Sequence, residues 1–363
     1  MRRANVVAVA RALCPVDQDI LEVSAHGVPR WFFPIGNIKT LRKSLTLYPS
    51  YRWRSRAYRA ALLAWATVGG VRLTHRVNRK REGEWPLGEL LLSDFPTLST
   101  AAVSIGTPGP SQNITIQLMD DRGQTLGFAK YANAPWAQDC IANEARMLEI
   151  IPENIGPRLV RFTQFLQGDL LVQTPVEGRV RMPRSKPDAA QIRFIERLIR
   201  TGATYTASEH PFIGSLHARA GQRRRILEEI IADLEDSEWP VALHHGDLSP
   251  WNMRWQGRNC LAFDWEHGRE EGLAYLEMAH APIQVAGLIR RTDPLRAKLA
   301  VSEYMKRCLP AQLSRFAPTV TALSALSALV SWYPPFRKPD AYAKWLIAFA
   351  EEPCKRSEIR TRY

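Results

Sequence analysis

A chain of 363 residues that is 45% hydrophobic can bury a substantial core, and its length predicts about two domains or lobes. Its five cysteines (Cys14, Cys140, Cys260, Cys308 and Cys354) include no Cys-x-x-Cys pair. That excludes a disulfide framework and a zinc knuckle, and predicts a reduced, cytoplasmic setting. The net charge of +13 is concentrated, because residues 23–81 hold 13 Lys or Arg and no Asp or Glu, which leaves 49 − 13 = 36 basic residues against 36 acidic ones elsewhere.

The chain begins Met-Arg-Arg, but Pro15, Asp17 and Asp19 interrupt the stretch that follows before it makes an export-signal core. The longest apolar run, ALLAWATVGGV at 61–71, is about half of the roughly 20 residues that span a bilayer, so no transmembrane helix is expected. The basic segment interleaves its arginines with Tyr48, Tyr51, Trp53, Tyr58 and Trp65. An anionic membrane surface is one candidate partner for residues 23–81, which would place the protein peripherally at the inner membrane face. Nucleic acid is another, disfavoured because no nucleic-acid module is recognisable. The plain alternative is a solvated basic face on an accessory helical segment. Residues 1–94 are taken as a basic N-terminal extension.

From about residue 95 the pattern changes. Three short strands are predicted at 102–106, 114–119 and 125–131, the second with Ile114, Ile116 and Leu118 alternating with polar residues. Asp121-Arg122-Gly123 supplies a turn. The loop between the first two strands carries Gly106, Pro108, Gly109 and Pro110, which suits either a plain turn or a backbone that approaches phosphate. A helix is predicted over 138–151, with Ile141, Ala145, Leu148 and Ile151 on one face and Glu144 within it. A strand lysine, Lys130, followed by a helix glutamate, Glu144, is the order in which protein-kinase-like enzymes hold ATP phosphates. The segment 169–178 would close a small nucleotide-binding lobe of residues 95–178.

The large lobe, 179–363, holds the strongest motif. After a predicted amphipathic helix and the apolar VAL comes HHGDLSPWNM at 244–253. Strand MRW, turn QGRN and strand CLAF then lead to Asp264. Phosphoryl transfer needs positioning and charge neutralisation more than covalent chemistry. Asp247 would accept or orient the proton of an attacking hydroxyl. Asn252 and Asp264 would offer hard oxygen ligands to Mg²⁺.

With HHGDLSPWNM and CLAFDWEHG in view, the chain resembles the aminoglycoside phosphotransferase and choline kinase group of protein-kinase-like small-molecule kinases. The resemblance covers residues 95–345 and is strongest over 244–268. It implies an α+β bilobal fold, with a small antiparallel-sheet lobe and a larger, mainly helical one. It also implies ATP and Mg²⁺ as cofactors, Asp247 as catalytic base, Asn252 and Asp264 as metal ligands, and Lys130 on the phosphates with Glu144 as its partner. His245 orients the loop in this reading, Gly106 and Gly109 line the nucleotide, and His244, Trp251 and Trp265 pack. Where the family carries a bracing aspartate downstream, this chain offers Glu277.

The implied acceptor is a hydroxyl of a small molecule: a sugar, an amino alcohol, an aminoglycoside-like compound or a surface-saccharide intermediate. A polycationic acceptor would call for a carboxylate-rich pocket, for which Glu266, Glu270, Glu271 and Glu277 are candidates. Helices are predicted after about residue 273, broken at Pro334-Pro335 and Pro339. The alternative function is a catalytically silent nucleotide-binding or scaffold protein that acts through its basic segment.

Overall fold

Side-chain alternation builds the first sheet. In Trp31-Phe32-Phe33, Phe32 enters one core while Trp31 and Phe33 enter another on the opposite face, the period-two geometry of a strand buried on both sides. The computed structural model describes residues 3–48, 53–68, 77–78, 83–182, 188–218, 221–314, 317–331 and 341–351. Among these, β1 (Ile20–Ala25), β2 (Val28–Pro34), β3 (Val77–Asn78), β4 (Thr100–Ile105), β5 (Ile114–Met119), β6 (Thr125–Ala132), β7 (Leu159–Phe165) and β8 (Gly168–Gln173) form one antiparallel sheet, ordered β3-β1-β2-β4-β5-β6-β8-β7. The predicted strands at 102–106, 114–119 and 125–131 are β4, β5 and β6, with Gly123 turning back onto Asp120.

Strands from the first 94 residues hydrogen-bond into this same sheet, with Trp31 opposite Ser104 and Phe32 opposite Val103. Helices α1 (Arg3–Ala12), α2 (Ile38–Ser44), α3 (Trp53–Thr67) and α4 (Pro86–Leu91) cover its faces. α1 and α4 pack around Phe32, Val103, Ile116 and Val172, whereas α2 and α3 pack around Trp31, Phe33 and Met119. Residues 49–52, 69–76 and 79–81 of the basic segment, Tyr51 among them, lie outside the described residues. One compact unit comprises Met1–Ala145 and Pro157–Pro175, and a second comprises Arg146–Gly156 and Val176–Tyr363. Helix α5 (Pro135–Ile150) begins in the first and ends in the second.

The second unit is mainly helical. Its three-stranded antiparallel sheet runs β13-β10-β9, from β9 (Ile199–Tyr205), β10 (Trp239–His244) and β13 (Arg269–Leu273), and β11 (Met253–Gln256) pairs with β12 (Asn259–Ala262) as a hairpin. Around them lie α6 (Ala189–Leu198), α7 (Pro211–His217), α8 (Arg224–Ala232), α9 (His280–Gln284), α10 (Pro294–Cys308), α11 (Ala311–Ser314), α12 (Ala317–Ser331) and α13 (Ala341–Glu351). Asp188 and Asp293 cap α6 and α10 by accepting backbone N–H groups of the first turn. α12 is apolar on most sides because it is buried on most sides, through Val320, Leu323, Leu326 and Leu329. The expected break at Pro334-Pro335 and Pro339 lies outside the described residues. No described helix is long and apolar enough to cross a membrane.

Candidate active site

In the first unit Lys130 sits in the middle of β6, opposite Thr115 of β5 and Leu171 of β8. Its ammonium lies 2.5 Å from Glu144 of α5, and the two side chains are only 8% and 0% exposed. A lysine withdrawn this far from water persists because a carboxylate compensates its lost hydration. The strand-lysine and helix-glutamate pair expected from the sequence is therefore formed. The β4–β5 loop is a closed hairpin. The Gly106 N–H donates to Asn113 O at 2.8 Å, and Gln112 Nε2 donates to Gly106 O at 3.0 Å. A Cβ on Gly106 would stand 2.9 Å from Asn113 O, so close backbone approach requires this glycine, whereas Gly109 lies at the tip with open space around it.

In the second unit the loop of 245–252 leaves the end of β10. Gly246 has φ +84°, and a Cβ there would lie 2.5 Å from His267 O, so no other residue fits between the histidines and Asp247. His245 is buried and packs at a tilt of 48° against Trp265, 4.5 Å between ring centres. Its Nδ1 accepts the Asp247 N–H at 3.3 Å and its Nε2 faces Phe263 O at 3.0 Å. Burial pulls the His245 imidazole down to about 4, so the ring is neutral, with its hydrogen on Nε2. Both ring nitrogens are thus committed to backbone. His244 is buried against Phe212, and burial, then Arg269, lowers its imidazole well below the usual range.

Glu277 holds the same loop from outside. One carboxylate oxygen accepts the His245 N–H and the other the Gly246 N–H, each at 2.7 Å. Burial pushes this carboxyl up to about 7 against the pull of those two bonds. The glutamate thus makes the bracing contact for which the sequence offered it. Asn252 closes the loop, its Nδ2 donating to Asp247 O at 3.0 Å and to Asp247 Oδ2 at 3.1 Å. The amide oxygen is the end of the side chain turned away from Asp247. Phe263 N–H donates to Asn252 O at 3.0 Å and brings the hairpin end carrying Asp264 against Asn252. Asp264 has φ +74°, a left-handed conformation costly for a non-glycine residue and the kind of strain concentrated at functional sites.

Sequence reasoning missed His280. Its Nε2 lies 2.9 Å from Asp247 Oδ1 and its Nδ1 2.9 Å from Ser331 Oγ at the end of α12. Ser249 Oγ donates to the same Asp247 oxygen. Burial alone would raise the Asp247 carboxyl, but the hydrogen bonds of His280 and Ser249 and the nearby imidazoles bring it down to about 2. Asp247 is therefore a carboxylate, and the His280 N–H at Nε2 is the donor. One signal was available: His280 follows Glu277 by three residues, which places both on one side of a helical turn.

The suggested acidic acceptor pocket is reduced by the structure. Glu277 is spent on the loop, and Glu270 pairs with Arg146 and, at 3.3 Å, with Arg200. Trp265 is fully buried and donates to Ala262 O at 3.2 Å, as core packing predicts. What remains is an ionised aspartate fixed by three side-chain donors, with Asn252 in the same loop and Asp264 one residue beyond the Phe263–Asn252 backbone bond. Asn252 and Asp264 supply hard oxygens that fit a Mg²⁺ ion, and Lys130 is the buried cation suited to phosphate.

No family model matches the chain and no curated protein does. Among solved structures it is similar to an ethanolamine kinase of Plasmodium vivax, 12% identical over 88% of this chain and 99% of that one, with a TM-score of 0.45. It is also similar to a choline kinase of Cryptosporidium parvum, 13% identical over 64% of this chain and 81% of that one, with a TM-score of 0.39. An aminoglycoside phosphotransferase of Streptomyces rimosus, in complex with ADP and streptomycin, is 16% identical over 65% of this chain and 96% of that one, with a TM-score of 0.36. At these identities and scores the likenesses carry no chemistry over, which has to come from the chain's own residues.

Proposed function

We propose that this protein is a Mg²⁺- and ATP-dependent phosphotransferase that moves the terminal phosphate of ATP to a hydroxyl of a small molecule. The observation that carries the reading is the 245–252 loop. It presents one ionised carboxylate, Asp247, locked by Asn252, Ser249 and His280, with its backbone fastened by Glu277. So many contacts spent on one carboxylate suit a reaction governed by orientation.

In this reading Lys130, held by Glu144, meets the nucleotide phosphates, and Gly109 lets the hairpin tip approach them. Gly106 shapes the hairpin, since its N–H is committed to Asn113. Asn252 Oδ1 and the Asp264 carboxylate hold Mg²⁺. When bound, that ion neutralises phosphate oxygens as charge shifts to the leaving group. Asp247 aligns the acceptor hydroxyl and receives its proton as the new O–P bond forms and ADP departs. His245 acts as a positioning residue. With Glu270 and Glu277 engaged elsewhere, a sugar or amino-alcohol hydroxyl is placed ahead of a polycationic acceptor.

The test is phosphate transfer from Mg·ATP into pooled sugars, amino alcohols, aminoglycosides and lipid-linked saccharides, wild type against Asp247→Asn. Labelling that falls by about a hundredfold or more in the variant, with ATP binding retained, is the expected result. A wild type that neither binds Mg·ATP nor labels any acceptor overturns it.

A further inference from the structure

Helix α3 is apolar on two faces. Inward, Leu62 is buried, and Leu63, Trp65 and Ala66 pack partly against the core that holds Leu21, Val23 and Phe33. Outward, Trp53, Ala57, Ala60, Ala61, Ala64 and Val68 are all exposed, Trp53 at 73% and Val68 at 82%. At about 100° per residue these six fall within roughly a 100° arc, with Arg54 on one border and Arg56 on the other. Both arginines are exposed, and the neighbouring α2 adds exposed Lys39, Arg42 and Ile38. Nothing within residues 23–81 offers a carboxylate to offset this charge.

We propose that the outward stripe of α3 seats the protein on an anionic lipid bilayer, Trp53 entering the headgroup region while Arg54 and Arg56 meet lipid phosphates. An exposed indole and an apolar strip flanked by cations offer an interfacial anchor together with charge for an anionic surface. The other occupants fit less well. A second copy would bring like charges face to face. A nucleic acid would satisfy the arginines but gains nothing from Ala57, Ala60, Ala61, Ala64 and Val68, which present no π-face on which a base could stack. The proposal is independent of the phosphotransferase reading and stands or falls without it.

The experiment is co-flotation of the full chain with phosphatidylcholine vesicles, with and without phosphatidylglycerol. Binding is expected only to the anionic vesicles, and raised salt should release it. Arg54→Gln/Arg56→Gln should weaken it roughly thirtyfold, and Trp53→Ser should weaken it at unchanged net charge. All three positions are exposed, and an unaltered thermal midpoint confirms that each variant folds. Absent binding, equal binding to both vesicles, or variants that bind like wild type overturn the proposal. So does tighter capture of a nucleic-acid duplex with the same arginine sensitivity, or a Trp53→Ser variant that changes oligomeric state.

Discussion

Glu277→Gln separates what the buried brace contributes to stability from what it contributes to turnover. The two N–H groups of His245 and Gly246 each find their own carboxylate oxygen at 2.7 Å. A glutamine offers one oxygen and one NH₂, so one buried N–H would face another donor, at a cost of about 1–3 kcal/mol. The carboxyl is pushed from 4.5 up to about 7 by burial, so between those values the folded chain holds a proton that the unfolded chain has released. The contribution of this group to stability is therefore fully present below about 4.5 and lost as pH rises through about 7. Across that interval it amounts to about 3 kcal/mol.

Turnover runs the opposite way. A proton on either oxygen weakens one of the two N–H bonds and loosens the loop that carries Asp247. Urea unfolding of wild type against Glu277→Gln should show the wild-type advantage growing as pH falls from about 7 towards 4.5. Over the same range wild-type kcat should fall, while the variant's, lower at neutrality, loses that limb of its pH profile. If the two proteins gain or lose stability in parallel between those pH values, Glu277 does not take up its proton there and the reasoning fails.

His280→Ala removes one donor to a charged group, about 1.5–3 kcal/mol, and should lower kcat by roughly tenfold to a hundredfold with KM for ATP unchanged. It should also move the acid limb of the pH–rate profile upward, because Asp247 loses the contact that most helps hold it at about 2; an unmoved limb would remove His280 from that role. Lys130→Met leaves the Glu144 charge buried without its ammonium, which should cost about 3–5 kcal/mol in thermal unfolding. Lys130→Met/Glu144→Leu should recover most of that stability but not ATP binding, and equal ATP affinity in wild type and double variant would take the pair out of the nucleotide site.

What was legible in the sequence was mainly what backbone geometry or local periodicity dictates. β4 to β6 announced themselves through alternation and a turn, whereas the need for a glycine at Gly246 shows only in its φ of +84° and the closeness of His267 O. β1 and β2 did not announce themselves. Trp31-Phe32-Phe33 is a continuous apolar run because the strand is buried on both faces, and the surrounding cations suggested a helical surface segment instead. β9 hides for another reason: its sequence IRTGATY has Ile, Thr and Tyr, which suit a strand, but Gly202 at φ +126° interrupts the run. The role of Glu277 was legible as a substitution for a shorter acid. That of His280 left only its spacing of three from Glu277 as a trace, because its partners Asp247 and Ser331 lie far away in sequence on different elements.

The three donors around Asp247 also bear on how the proposed reaction proceeds. A carboxylate held at about 2 is a weak base, because the bonds that orient it stabilise its charged form. An acceptor hydroxyl keeps its proton until late in the transfer when the base facing it is that weak. In a loose transition state this is no handicap, since bonding to the nucleophile is slight and the hydroxyl needs little prior deprotonation. Orientation is then the larger contribution. Oδ2 is turned to Asn252 and Oδ1 to His280 and Ser249, so the direction left for a hydroxyl is set by three side chains rather than by rotation of the aspartate. A base tuned towards neutrality would have needed fewer donors and would have been less firmly aimed.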